Sequence, residues 1–123
     1  MKKILVVDDE KPIREMLRKF LTKKGYEVFD AESGNDALKV IVEQSPHIVL
    51  LDIRMPETDG VEVLKRIKEE NKNIGVIMIT AVSETAIAEK CMELGAFDYI
   101  TKPISLEYLE HSLLAKLLDF NNA

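Results

Sequence analysis

Two apolar runs in this chain stop abruptly on carboxylates: Ile4-Leu5-Val6-Val7 meets Asp8-Asp9, and Ile48-Val49-Leu50-Leu51 meets Asp52. Short runs this rich in branched residues predict strands buried on both faces, as in a parallel sheet covered by helices. The first polar residue after such a run marks the strand's carboxyl edge, where ligand sites form in open α/β sheets. Three acids gathered at one edge repel one another unless a cation joins them. Carboxylate oxygens select a hard, oxygen-preferring metal for that place.

The rest of the chain repeats the alternation. Strands are expected at about Lys3 to Val7, Glu27 to Ala31, Ile48 to Asp52, Val76 to Thr80 and Asp98 to Thr101. Between them, Pro12 to Lys23, Asn35 to Glu43, Gly60 to Glu70, Glu84 to Leu94 and Leu106 to Leu118 carry apolar residues at three- and four-residue spacing, the mark of amphipathic helices. Pro12 suits a first helical turn, while Gly25 and Gly95 each follow a helical run and suit its left-handed cap. Strict alternation implies an α/β, doubly wound (βα)5 unit with helices on both faces of a five-stranded parallel sheet. Glu27-Val28-Phe29-Asp30-Ala31 alternates polar with apolar and so belongs at an edge; the order 2-1-3-4-5 satisfies this. Strands one and three are then neighbours, and Asp8, Asp9 and Asp52 share the crevice at the topological switch point.

Length and composition allow one domain over residues 1–123, with no linker, repeat or low-complexity stretch to divide it. A net charge of −5, from 17 basic and 22 acidic side chains, argues against nucleic acid as a direct partner. Arg14, Arg18, Lys19, Lys23 and Lys24 make the first helix locally positive, which a solvated helix face explains and a docking patch would also use. Cys91 cannot form an internal disulfide and reads as a buried structural thiol in a reducing compartment. Met1-Lys2-Lys3 precedes only four apolar residues, too few for a signal peptide, and no segment could span a bilayer. A cytoplasmic location without membrane attachment is expected. His47 and His111 are expected at the surface, away from Asp52, and no Ser-His-Asp array or Gly-rich phosphate loop is present. The Asn121-Asn122-Ala123 tail suits either a chain end or the start of a linker.

Four segments occur in order: Val6-Val7-Asp8-Asp9-Glu10; Leu51-Asp52-Ile53-Arg54-Met55-Pro56 with Asp59-Gly60; Ile79-Thr80-Ala81; and Thr101-Lys102-Pro103. Together they resemble the receiver domain of bacterial two-component response regulators, a CheY-like superfamily with the flavodoxin-like fold, over essentially the whole chain. The resemblance implies a phosphoryl group taken from a sensor histidine kinase or phosphotransfer protein onto an aspartate. It also implies a requirement for Mg²⁺, with Mn²⁺ as a substitute.

The residues can carry that chemistry. A carboxylate attacks phosphorus to give an acyl phosphate when its charge is partly offset and the phosphoryl oxygens are cradled. Asp52 stands alone at a central strand end and is the best nucleophile, whereas adjacent Asp8 and Asp9 can hold a metal. By resemblance, Asp9 and Asp52 would be direct ligands, Asp8 would act mainly through water, and the backbone carbonyl of Arg54 would complete the set. Lys102 would pair with a phosphoryl oxygen as a compact point charge, across a cis Lys102-Pro103 bond. Thr80 matches the switch hydroxyl and Tyr99 the aromatic position coupled to it; in isolation Thr80 reads better as a plain β-branched strand residue, and a half-buried edge-strand tyrosine explains Tyr99 equally well.

The expected mechanism is a population shift, in which phosphorylation favours the conformer with Thr80 and Lys102 turned inward. The readout would be the face formed by the fourth helix, fifth strand and fifth helix, presented to an output partner, an output domain or a second copy of the chain. In the fifth helix Leu106, Leu109, Leu113 and Leu117 form one stripe, and Leu114 and Leu118 widen it beyond a single core face. The helix lacks the arginine-rich pattern of receivers that dimerise ahead of winged-helix DNA-binding domains. Arg54 and Val82 lie two residues after Asp52 and Thr80, where bulk would slow hydrolysis of the acyl phosphate, and ordinary loop residues explain both equally well. Two other readings compete with a signalling domain. A haloacid-dehalogenase-type phosphohydrolase also uses a strand-end Asp and Mg²⁺, but expects a second Asp where Arg54 stands, and the chain has no room for a cap domain. A phosphorylation-independent interaction module would not need the intact acid, hydroxyl and lysine set.

Overall fold

The computed structural model describes residues 1–121, so residues 122 and 123 of the polar tail lie outside the described residues. The chain alternates strand and helix from its first strand, β1 (Lys3–Val7), through α1 (Lys11–Lys23), β2 (Glu27–Ala31), α2 (Gly34–Gln44) and β3 (Ile48–Leu51). A two-stranded hairpin, β4 (Arg54–Met55) and β5 (Thr58–Asp59), interrupts the pattern before α3 (Gly60–Glu70). Then follow β6 (Gly75–Thr80), α4 (Thr85–Glu93), β7 (Asp98–Thr101) and α5 (Leu106–Asn121). The main sheet is parallel with order β2-β1-β3-β6-β7, the 2-1-3-4-5 arrangement expected from the sequence.

Strand alternation distributes the core. Leu5, Val7, Val49, Leu51, Val76 and Met78 point to the face covered by α2, α3 and α4 through Ala37, Ile41, Leu64, Ile67 and Cys91. Their neighbours Ile4, Val6, Ile48, Leu50, Ile77 and Ile79 meet Leu17 and Leu21 of α1 and Leu109 and Leu113 of α5 on the other face. Full burial of such side chains is worth about 1.5–3 kcal/mol each, which fixes strand register against slippage. β2 shows an exposed, buried, half-buried, exposed, buried pattern, as an edge strand must. Pro12 sits in the first turn of α1, and Gly25 and Gly95 adopt φ of 93° and 105° past the ends of α1 and α4.

Two expectations need correction, and one element is additional. Ile48 to Asp52 is one residue too long for a strand: β3 ends at Leu51, although the Asp52 N–H still donates to Val7 O. The β4–β5 hairpin has no counterpart among the expected elements. It turns on Pro56 and Glu57, with Glu57 at φ 60°, a place where glycine or asparagine is the usual occupant. His47 is half-buried rather than superficial: its Nδ1 accepts the Lys3 N–H at 3.0 Å and its ring meets Phe120 edge-on, whereas His111 is exposed. Among the described residues no helix is long and apolar enough to cross a membrane.

Candidate functional site

Register brings the acids together. Val7 and Leu51 are paired across β1 and β3, so the next residues, Asp8 and Asp52, emerge side by side at the carboxyl edge. The ladder holds the backbone of both, since Asp52 N–H donates to Val7 O at 3.0 Å and Asp8 N–H donates to Ala31 O at 3.1 Å. Asp8 and Asp52 are buried, at 3% and 6% exposure, while Asp9 is exposed. One carboxylate oxygen from each of Asp8, Asp9 and Asp52 lies within 4.8 Å of the others.

Lys102 follows the end of β7, where Thr101 is in register with Thr80, and its N–H donates to Thr80 O at 2.8 Å. Its Nζ donates to Asp8 Oδ2 at 2.9 Å and Asp52 Oδ2 at 3.2 Å, with Glu10 Oε2 at 3.8 Å. The Lys102-Pro103 bond is cis. Among the described residues Lys102 is the only cation paired with Asp8 or Asp52. One ammonium therefore faces several carboxylates, and the acids stay under-neutralised. Burial pushes the Asp8 carboxyl above its usual range; the Glu10 N–H and Lys102 oppose that rise, and the Asp52 charge adds to it. Burial by itself would weaken the hold of Lys102 on its proton. The hydrogen bond to Asp8 and the charges of Asp52 and Asp8 outweigh it, so the ammonium is held above its ordinary pKa.

An open cleft of about 570 Å³ adjoins Asp9 and is lined by Arg54, Met55, Pro56 and Asp59 among others. Arg54 is exposed, while Asp59 is the N-cap of α3, its Oδ1 accepting the Val61 N–H at 2.9 Å. Gly60 N–H donates to Ile53 O at 2.8 Å, and a Cβ on Gly60 would fall inside the Asp52 and Ile53 backbone. The Asp59-Gly60 pair thus starts α3 hard against the strand end that carries Asp52.

Thr80 is fully buried, and its Oγ1 accepts the Val82 N–H at 3.2 Å. Tyr99 is half-buried and its hydroxyl donates to Val82 O at 2.6 Å. Burial, then the charges of Cys91, Glu84 and Asp52, raise the phenol pKa and keep it a donor. Val82 itself is buried in the core cluster, so it does not stand in solvent beside the acids. Cys91 is fully buried, and His47 lies at the opposite edge.

Arg14 was missed. Its side chain is 12% exposed and its Nη1 donates to Asp8 O at 2.8 Å, so the solvated-face reading of α1 fails at this residue. The signal available was an arginine one turn into a helix that begins beside the acid pair; charge counting alone could not single it out.

The sequence model of the response regulator receiver domain matches residues 4–114. A CheY-like response regulator receiver domain protein from Methanospirillum hungatei JF-1 is 28% identical over 99% of this chain and 98% of that one, with a TM-score of 0.96. A response regulator receiver domain protein from Clostridium thermocellum is 30% identical over 98% of each chain, with a TM-score of 0.92. NtrX from Brucella abortus is 31% identical over 97% of this chain but only 29% of its own length, with a TM-score of 0.85.

Proposed function

The chain belongs to the response regulator receiver domain family, and from that premise we propose that Asp52 accepts a phosphoryl group from a histidine of a sensor kinase or phosphotransfer protein. The observation that carries this reading is the buried Asp8-Lys102-Asp52 arrangement with Asp9 beside it. A solvated set of strand-end acids would not bury two carboxylates on one ammonium.

The donor set is all oxygen, dominated by carboxylates, which fits Mg²⁺ and accepts Mn²⁺. Asp9, Asp52 and the Arg54 carbonyl would hold the ion, with Asp8 beside it. When bound, the ion supplies positive charge that offsets the acids and the phosphoryl oxygens. Asp52 forms the new O–P bond as the P–N bond of phosphohistidine breaks. Lys102 then exchanges its contact with Asp52 for one with a phosphoryl oxygen and keeps Asp8 on its other side.

Val82 links the two switch residues, since its N–H is bonded to Thr80 and its carbonyl to Tyr99. A Thr80 hydroxyl drawn to the phosphoryl group releases the Val82 N–H, and the segment that holds the Tyr99 hydroxyl is freed with it. The consequence is carried to α4, β7 and α5. There Tyr108, whose hydroxyl donates to Asp98 of β7, leaves exposed surface for an output partner or a second copy. Exposed Arg54 would hinder water at the acyl phosphate, whereas buried Val82 would act through Tyr99. In this proposal residues 1–123 are one receiver domain, a signalling unit that catalyses only its own phosphorylation and slow dephosphorylation.

Incubation with Mg²⁺ and a small acyl- or amidophosphate donor, followed by intact mass measurement, tests the reading. One added phosphoryl group is expected in the wild type, and none in Asp52→Asn or without Mg²⁺. Steady phosphate release with no adduct would point instead to the phosphohydrolase alternative.

A further inference from the structure

Arg14 does more than decorate a helix. Its guanidinium reaches three groups on two elements: Asp8 O at 2.8 Å, Asp30 Oδ2 at 3.6 Å and Glu32 Oε2 at 3.9 Å. Arg18, one turn later, reaches Val28 O at 3.0 Å and Asp30 Oδ1 at 3.1 Å, with no contact to Asp8. Both arginines tie α1 to the edge strand. Only Arg14 extends the tie to the acid site.

We propose that Arg14 is a positioning residue for the acidic site, holding the Asp8 main chain so that Asp8 and Asp9 are presented to a divalent cation; this rests on the metal-dependent reading of the site given above. Asp8 is the residue at which the ladder runs out. Its N–H still donates to Ala31, but its carbonyl takes its hydrogen bond from a side chain, the Arg14 guanidinium. Its Oδ1 accepts the Glu10 N–H at 2.9 Å and its Oδ2 accepts Lys102. Three of these four restraints come from neighbours that the main chain or the site itself supplies. The fourth is the planar fork of Arg14, steadied from behind by Asp30 and Glu32, so it has little freedom to swing. A strut therefore runs from the β2 edge through α1 to the acid pair. Restraints of this kind set metal affinity because a ligand that must be ordered on binding loses part of the binding free energy.

Arg18 provides the control, since its removal costs a similar anchor on β2 without touching Asp8. Calorimetric titration with Mg²⁺ should be run on the wild type, Arg14→Met, Arg14→Lys and Arg18→Met, with folding checked by circular dichroism. Arg14→Met is expected to raise the Mg²⁺ Kd about tenfold, Arg14→Lys about threefold, and Arg18→Met less than about twofold. Wild-type affinity in Arg14→Met, or an equal loss in Arg18→Met, overturns the proposal while leaving the site reading intact. Absence of Mg²⁺ binding by the wild type overturns the site reading and this proposal together. If Arg14→Met does not fold, Arg14→Lys against Arg18→Lys decides by the same criterion.

Discussion

The two edges of the sheet treat charge in opposite ways. At the carboxyl edge, Asp8, Asp9 and Asp52 crowd around one lysine, and burial holds the Asp8 carboxyl above its usual range. At the amino edge, several cations each find their own internal acceptor. Lys3 Nζ donates to Gln44 O at 3.0 Å, and Lys68 Nζ donates to Ile74 O at 2.6 Å and Lys72 O at 3.2 Å. Lys116 Nζ lies 5.2 Å from the Phe97 ring centre and 4.9 Å from that of Phe120, and pairs with Asp119 at 3.0 Å. His47 takes the Lys3 N–H and packs on Phe120. At the amino edge these lysines are spread over separate acceptors; the carboxyl edge gathers acids around one lysine and is suited to a ligand that supplies positive charge.

If that contrast is correct, removing a cation should cost far more at the carboxyl edge. Lys102→Met leaves Asp8 and Asp52 buried without a counter-charge, and an expected loss on the order of 3 kcal/mol in urea unfolding at neutral pH should shrink as Mg²⁺ is added. Gly60→Ala would drive a methyl group into the Asp52 backbone. Overpacking of that kind is expected to lower stability by about 2 kcal/mol and to reduce phosphorylation by the small-molecule donor more than its stability loss accounts for. Lys116→Met keeps the apolar stem over Gly75 and gives up only aromatic and surface ion contacts, so its expected loss is about 1 kcal/mol or less, with no response to Mg²⁺. A loss as large as that of Lys102→Met would break the comparison.

The smallest effect is a pH dependence at the amino edge. Burial, then the charges of Lys2, Lys3 and the N-terminal amine, lower the His47 pKa below its ordinary value of 6.5. The unfolded chain therefore binds this proton more readily than the folded one. The stability associated with neutral His47 is present above pH 6.5 and is lost as pH falls through the lower folded value. Unfolding measured from pH 7 to pH 5 should show a steeper decline in the wild type than in His47→Gln, and parallel curves would refute the assignment.

Legibility followed the range of the interactions. The β1 boundaries, the placement of Pro12, Gly25 and Gly95, and the edge character of β2 rest on local periodicity and backbone preference, so they could be read directly. The hairpin between β3 and α3 could not, because Glu57 at positive φ runs against its own preference and is set by the β4–β5 pairing that closes on either side of it. Asp8, Asp52 and Lys102 were readable as a constellation because each ends a strand and the topology brings those ends together.

By itself, the sequence determined the alternating elements, the parallel sheet and its order, and the residues at the carboxyl edge. Hydrophobic period and strand-end position are properties of neighbours along the chain. Only the tertiary structure decided that Lys102 bridges Asp8 and Asp52, that Tyr99 and Thr80 meet at Val82, and that Arg14 reaches Asp8 while Arg18 does not. Two arginines of the same helix are alike in charge and helical setting. Which one touches the site depends on how α1 lies across the end of β1, which is fixed by the packing of Leu17 and Leu21 against the sheet.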